Sequence, residues 1–516
     1  MVWGNPPPPL ASSSPRRLST SSVSSSGSSR ASSPRLGALD SSSALILVHD
    51  EDNDTSPFHF DSDDDDDDRT PQFDLRRPST PPLGPGLVLL YLLVSYLKLG
   101  AMFLPHTETP LKYGLPALFA FAGLAAFARQ ILYMLSRYTQ TAELEDTVLD
   151  ICAKGRGKER RRRILRSTIR AGTGGLRVLL ATVYLRESVQ VSVSLLPNYK
   201  SIAVRLALTA ILALVVLPLS LAQSLASKRI VYTTWLSMVT YIAWLSCIIY
   251  AYVHKIPLAN SGWLRAGTFW QGIVAIAFAF TSSSTLSLYV SLRGSYKPVT
   301  TTKPSKFRSF KLLSVLSVAL AILLTFPLVI FSANPHVPDT FEQPRPPALV
   351  GIPILNAATL LLGIPALIVT TPTLPIPGRI RHSTTFPVSR TLLSILIAAL
   401  ALVPPRVSTI LSDILLVSAL VGTYFLPAFL HVIAHFFRRP LAIVVPQAPN
   451  TPAPGSKTQS HSQSQSPADE LLLRKERALQ KKQFKKRIVW DLGVWLLLVG
   501  GATGFVAAIG RVAGKW

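Results

Sequence analysis

Eleven long apolar stretches recur along this chain, and their length restricts what it can fold into more than any motif does. A bilayer core is about 30 Å thick, so a helix needs roughly 20 apolar residues to cross it. The segments Leu87–Leu104, Leu115–Leu135, Val178–Leu196, Ile202–Leu221, Ile230–Val253, Phe269–Leu292, Leu312–Phe331, Leu349–Val369, Leu392–Val403, Ile410–His431 and Val489–Ala508 meet or approach that length. The ninth is the shortest and ends at Pro404-Pro405. Lipid offers no partner to a bare backbone amide, so segments of this kind cross as helices. The expectation is an all-α polytopic membrane protein with eleven transmembrane helices.

Lys and Arg between the spans assign an orientation. With the N-terminus in the cytosol, the connections on that side run through Arg137–Arg177, Lys228–Arg229, Arg293–Lys311, Arg379–Arg390 and Arg438–Arg487, and carry 33 basic residues. The far side carries 8: Lys112, Lys200, Lys255, Arg265, Arg345, Arg406, Arg511 and Lys515. The positive-inside rule then places the N-terminus in the cytosol and the C-terminus opposite.

A net charge of +25 raises the question of nucleic acid. Most of the excess lies in loops beside span ends, where anionic lipid attracts it, so no nucleic-acid partner is expected. The run Arg160–Arg163 is the sharpest case. Two cysteines, Cys152 and Cys247, supply no disulfide framework. No cleavable leader is expected, because the apolar run Ala44–Val48 is too short.

Four regions follow. Residues 1–84 are Ser- and Pro-rich and then acidic at Asp63–Asp68, which predicts a disordered cytosolic tail with cytosolic partners as an option. Residues 85–437 hold the first ten helices. Residues 438–487 form a basic loop rich in Pro, Ser and Gln, ending in a basic surface helix over Glu470–Arg487. Residues 488–516 hold the eleventh helix and a short C-terminus.

Charges at membrane depth cost on the order of 2.5–3.5 kcal/mol each on insertion scales. Arg129, Arg205, Asp413 and Asp491 lie near span ends, where snorkelling explains them. Lys98, Arg186 and Glu187 do not. At 1.5 Å per residue from the cytosolic ends, Lys98 is roughly 16 Å deep and Glu187 roughly 14 Å deep, so a contact between them is allowed. Lys98, Arg186 and Glu187 are candidates for a charge or proton relay along a pathway. The alternative is a third helix close to the surface, with both its charges snorkelling.

Polar groups reach the same depth elsewhere. Thr281–Thr285 is a run of five hydroxyl residues that can bond i−4 carbonyls and loosen the sixth helix. Taken alone, small side chains of this kind read first as helix-packing residues. Asn356 reaches about 11 Å into the eighth span and suits a substrate, an ion or a bridge between helices. His431 and His435 have metal-binding spacing but no third ligand, so no metal or other cofactor is expected. There is no phosphate loop, no GxSxG and no carboxylate pair on a substantial soluble loop, so an enzyme is not expected.

The residues resemble the amino acid/auxin permease family, also called the amino acid transporter transmembrane family. Leu97-Lys98-Leu99-Gly100-Ala101-Met102-Phe103-Leu104-Pro105 is similar to that family's Gly-x-Gly-Ile-Leu-x-Leu-Pro break. Phe278-Ala279-Phe280 followed by Thr281-Ser282-Ser283 resembles its Phe-Ala-Phe segment, and Arg390–Pro427 is the closest stretch. Two positions depart from the pattern: Lys98 stands where the family has its first glycine, and Ser283 where it has a histidine.

The resemblance implies a LeuT-type fold, two inverted five-helix repeats plus one helix, with substrate held where the first and sixth helices are interrupted. Carried over by position, Gly100, Ala101, Phe280, Thr281 and Ser282 would line that place, with Lys98 and Asn356 beside it. It implies a secondary transporter of amino acids or related small solutes, with proton coupling as an option. The rival is a non-transporting nutrient sensor, and a membrane enzyme using His431 or His435 ranks behind both. A vacuolar or lysosomal membrane suits the tail and the lack of far-side sequons better than the cell surface does.

Overall fold

The computed structural model describes residues 81–139, 141, 143–153, 159–195, 201–255, 269–282, 285–294, 309–333, 348–374, 387–434, 488, 490–506 and 509–510. The N-terminal tail up to residue 80, the whole 438–487 loop, Ser283 and His435 lie outside the described residues. Met1–Thr55 separates from Ser56–Trp516 as a unit, and the description concerns only the second unit.

Every described element is helical, and each of the eleven apolar segments overlaps helix, the first and sixth with an interruption. The elements are α1 (Pro85–Val94), α2 (Leu99–Phe103, extended by a 3-10 turn at Leu104–His106), α3 (Leu111–Thr139), α4 (Leu144–Cys152) and α5 (Glu159–Val193). Then come α6 (Ile202–Ser220), α7 (Lys228–Val253), α8 (Phe269–Ala279), α9 (Thr285–Gly294), α10 (Phe310–Ala333) and α11 (Ala348–Thr370). The chain continues through α12 (Val388–Ala401) and α13 (Pro405–Leu420), a π turn (Val421–Phe425) and α14 (Leu426–Val432). The last helix, α15, is Trp490–Val506.

Among the described residues, seven stretches are long and apolar enough to cross a membrane: Pro85–His106, Leu111–Thr139, Ile202–Ser220, Lys228–Val253, Phe310–Ala333, Gly351–Thr370 and Pro405–Val432. Their outer faces are apolar too. Ile202, Leu214, Tyr232 and Leu323 all stand exposed. Water-facing surfaces rarely carry so many large apolar side chains, whereas lipid accepts them at no cost. The 35-residue α5 is about 52 Å long at 1.5 Å per residue, well over a bilayer core. Its first turns carry exposed Arg160–Arg163, a placement suited to one membrane surface.

Two bundles of contacts organise the interior. α11 packs on α5, α6 and α7, while α10 packs on α3 and α1. Ser188 Oγ donates to the Ala357 carbonyl at 3.1 Å and Ser237 Oγ to the Thr359 carbonyl at 3.1 Å, tying α11 to α5 and α7. Between the bundles lie α1–α2 and α8–α9. α1 packs on α9 and α2 on α8, so these two broken helices run antiparallel with their breaks side by side.

Candidate functional site

The first break lies beside a serine. Ser95 Oγ donates to the Leu92 carbonyl at 2.7 Å, competing with the helical ladder. The next amides then close short turns, Tyr96 N to Leu93 O at 3.0 Å and Leu97 N to Val94 O at 3.3 Å. Lys98 leaves helical space at φ −122°, ψ −142°, and α2 starts after it.

A hydroxyl bonds back at the second break too. Thr281 donates twice to the Phe278 carbonyl, by its amide at 3.0 Å and its hydroxyl at 2.8 Å, and α8 ends at Ala279. Thr281 of the hydroxyl run thus bonds back at the end of α8, while Ser283 and Ser284 lie outside the described residues. The Ser282 amide, freed from the ladder, is taken by Thr423 Oγ1 of the π turn at 3.3 Å. Tyr424 of the same turn donates to the Ala277 carbonyl at 3.0 Å. A π turn adds one residue to the helix and turns these neighbouring side chains onto α8.

The breaks meet at two contacts. The rings of Tyr96 and Phe280 lie 5.3 Å apart at 49°. A Cβ on Gly100 would fall 2.6 Å from both the Cα and N of Ala279, so only glycine admits this approach. The first interruption lies at Ser95–Lys98, and Gly100 serves inside α2 as the crossing point.

One guanidinium joins the two breaks. Arg129 of α3 is 2% exposed, so it does not snorkel. Its length would allow that, but α3 runs ten residues past it to Thr139, leaving it about 15 Å from the helix end. Arg129 Nη2 donates to Ser282 Oγ at 3.1 Å, Ser95 Oγ at 3.2 Å and the Leu92 carbonyl at 3.3 Å. Its Nη1 donates to Ser317 Oγ of α10 at 3.0 Å, and its plane sits 4.2 Å from the Tyr96 ring centre. The Leu92 carbonyl belongs to the negative end of α1, which favours a cation.

Beside this knot lies a cavity of about 90 Å³. Lys98, Gly100, Thr281 and Ser282 are on its wall, with Ser95 and Tyr96 from the first break and Thr423 from the π turn. Lys98 is 7% exposed. Its Nζ stands 5.7 Å from the centre of the Tyr184 ring, in space left by Gly363, where a Cβ would come within 2.7 Å of it.

The other expected residues lie off this wall. Ala101 is fully buried within α2, and Phe280 is buried against Tyr96. Asn356, Arg186 and Glu187 do not line the cavity either. Glu187 is 5% exposed and one turn beyond Tyr184 on α5. No ion pair joins it to Lys98, because the lysine turns toward Tyr184 and Gly363 instead. The three charges of the expected relay therefore do not form one cluster. Arg186 Nη1 and Asn356 Oδ1 are both buried without a hydrogen-bond partner.

These observations define an all-α polytopic membrane protein whose centre is a pair of interrupted, antiparallel helices enclosing a cavity with a buried lysine. No family model matches the chain, and no curated protein matches it.

Proposed function

We propose that this protein is a secondary active transporter of small carboxylate-bearing solutes, amino acids or their relatives, working by alternating access. The observation that carries the reading is the meeting of two interrupted helices at a cavity. Interrupted helices at membrane depth are tolerated only where they line a cavity or lie in protein, and they give a carrier both a binding place and hinges. The reading includes eleven spans, a LeuT-type arrangement in the amino acid/auxin permease family, a cytosolic N-terminus and a vacuolar or lysosomal membrane. It also includes proton coupling, since no bound cation is needed where Lys98 already supplies a charge.

One observation favours a second reading, a non-transporting sensor of the same build. Arg129 pins both interruptions at once, which opposes the rocking that transport requires. The experiment is solute uptake by the purified full chain in liposomes under an imposed pH gradient. Accumulation that collapses with the gradient supports the carrier. Ligand binding with no movement under any gradient selects the sensor, and absence of both defeats the two readings together.

A further inference from the structure

We propose that the cavity takes a small organic anion, bound through a carboxylate at Lys98, and that it makes no place for an ammonium group. The inference rests on the cavity being the substrate site and narrows what enters it.

The wall carries one cation and no carboxylate. Lys98 carries three N–H donors. It is more than nine-tenths buried, and among the described residues it has no hydrogen-bond or ion-pair partner beyond the Tyr184 ring face. The Tyr96 hydroxyl is likewise buried without a partner, and Tyr96 is on the wall. Directly behind Ser95 and Ser282 stands the second buried cation, Arg129. No Asp or Glu lines the cavity. The field there is therefore positive and uncompensated, which attracts an anion and repels a second cation.

An amino acid would also need acceptors for its ammonium. Seven of the carbonyls around the breaks already accept a hydrogen bond. On α1, Tyr91 accepts from the Ser95 amide, Leu92 from Ser95 Oγ and Arg129, Leu93 from the Tyr96 amide and Val94 from the Leu97 amide. On α8, Ile276 accepts from the Phe280 amide, Ala277 from the Tyr424 hydroxyl and Phe278 from Thr281. A cavity of about 90 Å³ is also well below the roughly 300–1,000 Å³ of sites for drug-sized ligands, which restricts the anion to a few carbons.

The test uses two pairs of probes that differ by one ammonium: propionate against alanine, and succinate against aspartate. Binding to the purified full chain is read by titration calorimetry at pH 7, with ethylamine as the amine alone. The proposal expects propionate and succinate to bind at least tenfold more tightly than alanine and aspartate, and ethylamine not to bind. Lys98→Gln should weaken the anions at least tenfold, and Lys98→Arg should recover part of the loss. Equal or tighter binding of the ammonium-bearing partner overturns the proposal, as does binding by none of the four, or Lys98→Gln with unchanged affinity. If Lys98→Gln fails to fold, the paired comparison on the natural chain decides alone. Anion binding without liposome flux sinks the carrier and leaves this inference standing. Alanine flux without anion binding does the reverse.

Discussion

Arg129 donates to Ser282 at 3.1 Å across 153 residues of chain, and through the same nitrogen it reaches Ser95. That nitrogen has two hydrogens and three acceptors: Ser282 Oγ, Ser95 Oγ and the Leu92 carbonyl. Removing one serine therefore leaves both hydrogens with a partner. Ser95→Ala or Ser282→Ala alone should cost about 0.5–1.5 kcal/mol, the net worth of an ordinary hydrogen bond. The double variant strands an N–H in the interior, adding about 1–3 kcal/mol beyond the sum. Thermal unfolding of the four purified proteins measures this, and simple additivity would mean the guanidinium has other partners.

The class of protein was legible in the length of the apolar runs, and so was the approximate place of the breaks. Lys98, Gly100, Thr281 and Ser282 reach the cavity wall because they lie within a turn of where a helix ends. Ser95 was not singled out at the first break, because a lone hydroxyl residue is a weak signal there. Ser95 can break the ladder by bonding three residues back, but the same serine in other helices here, such as Ser291 to Leu288, breaks nothing. Arg129 was misread because the apolar run stops at Leu135 while α3 continues to Thr139 in polar residues. Thr423 and Tyr424 gave no signal at all. A π turn has no residue pattern that apolar periodicity reveals, and their partners are about 140 residues away in the chain.

Gly100 and Gly363 both abut the site, yet alanine should act differently at each. At Gly100 the new methyl meets the backbone of Ala279 at 2.6 Å, and backbone cannot turn aside. Two helices must part, costing about 1–3 kcal/mol as overpacking does. At Gly363 the methyl meets Lys98 Nζ at 2.7 Å, the free end of a flexible chain. Gly363→Ala should unfold near the natural temperature but bind ligand several-fold differently, because the ammonium is displaced. Calorimetry and thermal unfolding on both variants separate the cases. Equal stability losses would mean Lys98 is as rigid as backbone.

The π turn offers a further separation. Tyr424 is fully buried and its hydroxyl is a partner of the Ala277 carbonyl. Tyr424→Phe removes that donor and should cost about 1–3 kcal/mol if the carbonyl finds no other. Thr423→Val keeps the shape but removes the acceptor of the Ser282 amide. That frees an N–H donor at the cavity wall, so affinity for an anion should rise even as stability falls. A loss of affinity instead would mean that Thr423 touches the ligand itself.

The last prediction lies outside the membrane-spanning helices, where α4 leans on the basic start of α5. Arg170 pairs with Glu145 at 3.4 Å and Arg166 with Asp146 at 3.4 Å. Both arginines are about half exposed, so each pair is worth at most ~1 kcal/mol. Burial pushes the Glu145 carboxyl above the usual carboxylate range. Glu143 and Asp146 push the same way, and Arg170 and Arg166 oppose them without prevailing. An acid raised in the folded state holds its proton more tightly there than in the opened state. Its contribution is therefore complete below the ordinary carboxylate range and is lost as pH rises through the raised value. Docking of α4 should weaken with rising pH in that window, and Glu145→Gln should flatten the dependence. Hydrogen exchange of residues 144–152, corrected for intrinsic rates and followed from pH 4 to 8, reports the opening free energy. Protection that instead grows with pH would show that the Arg170 pair outweighs burial.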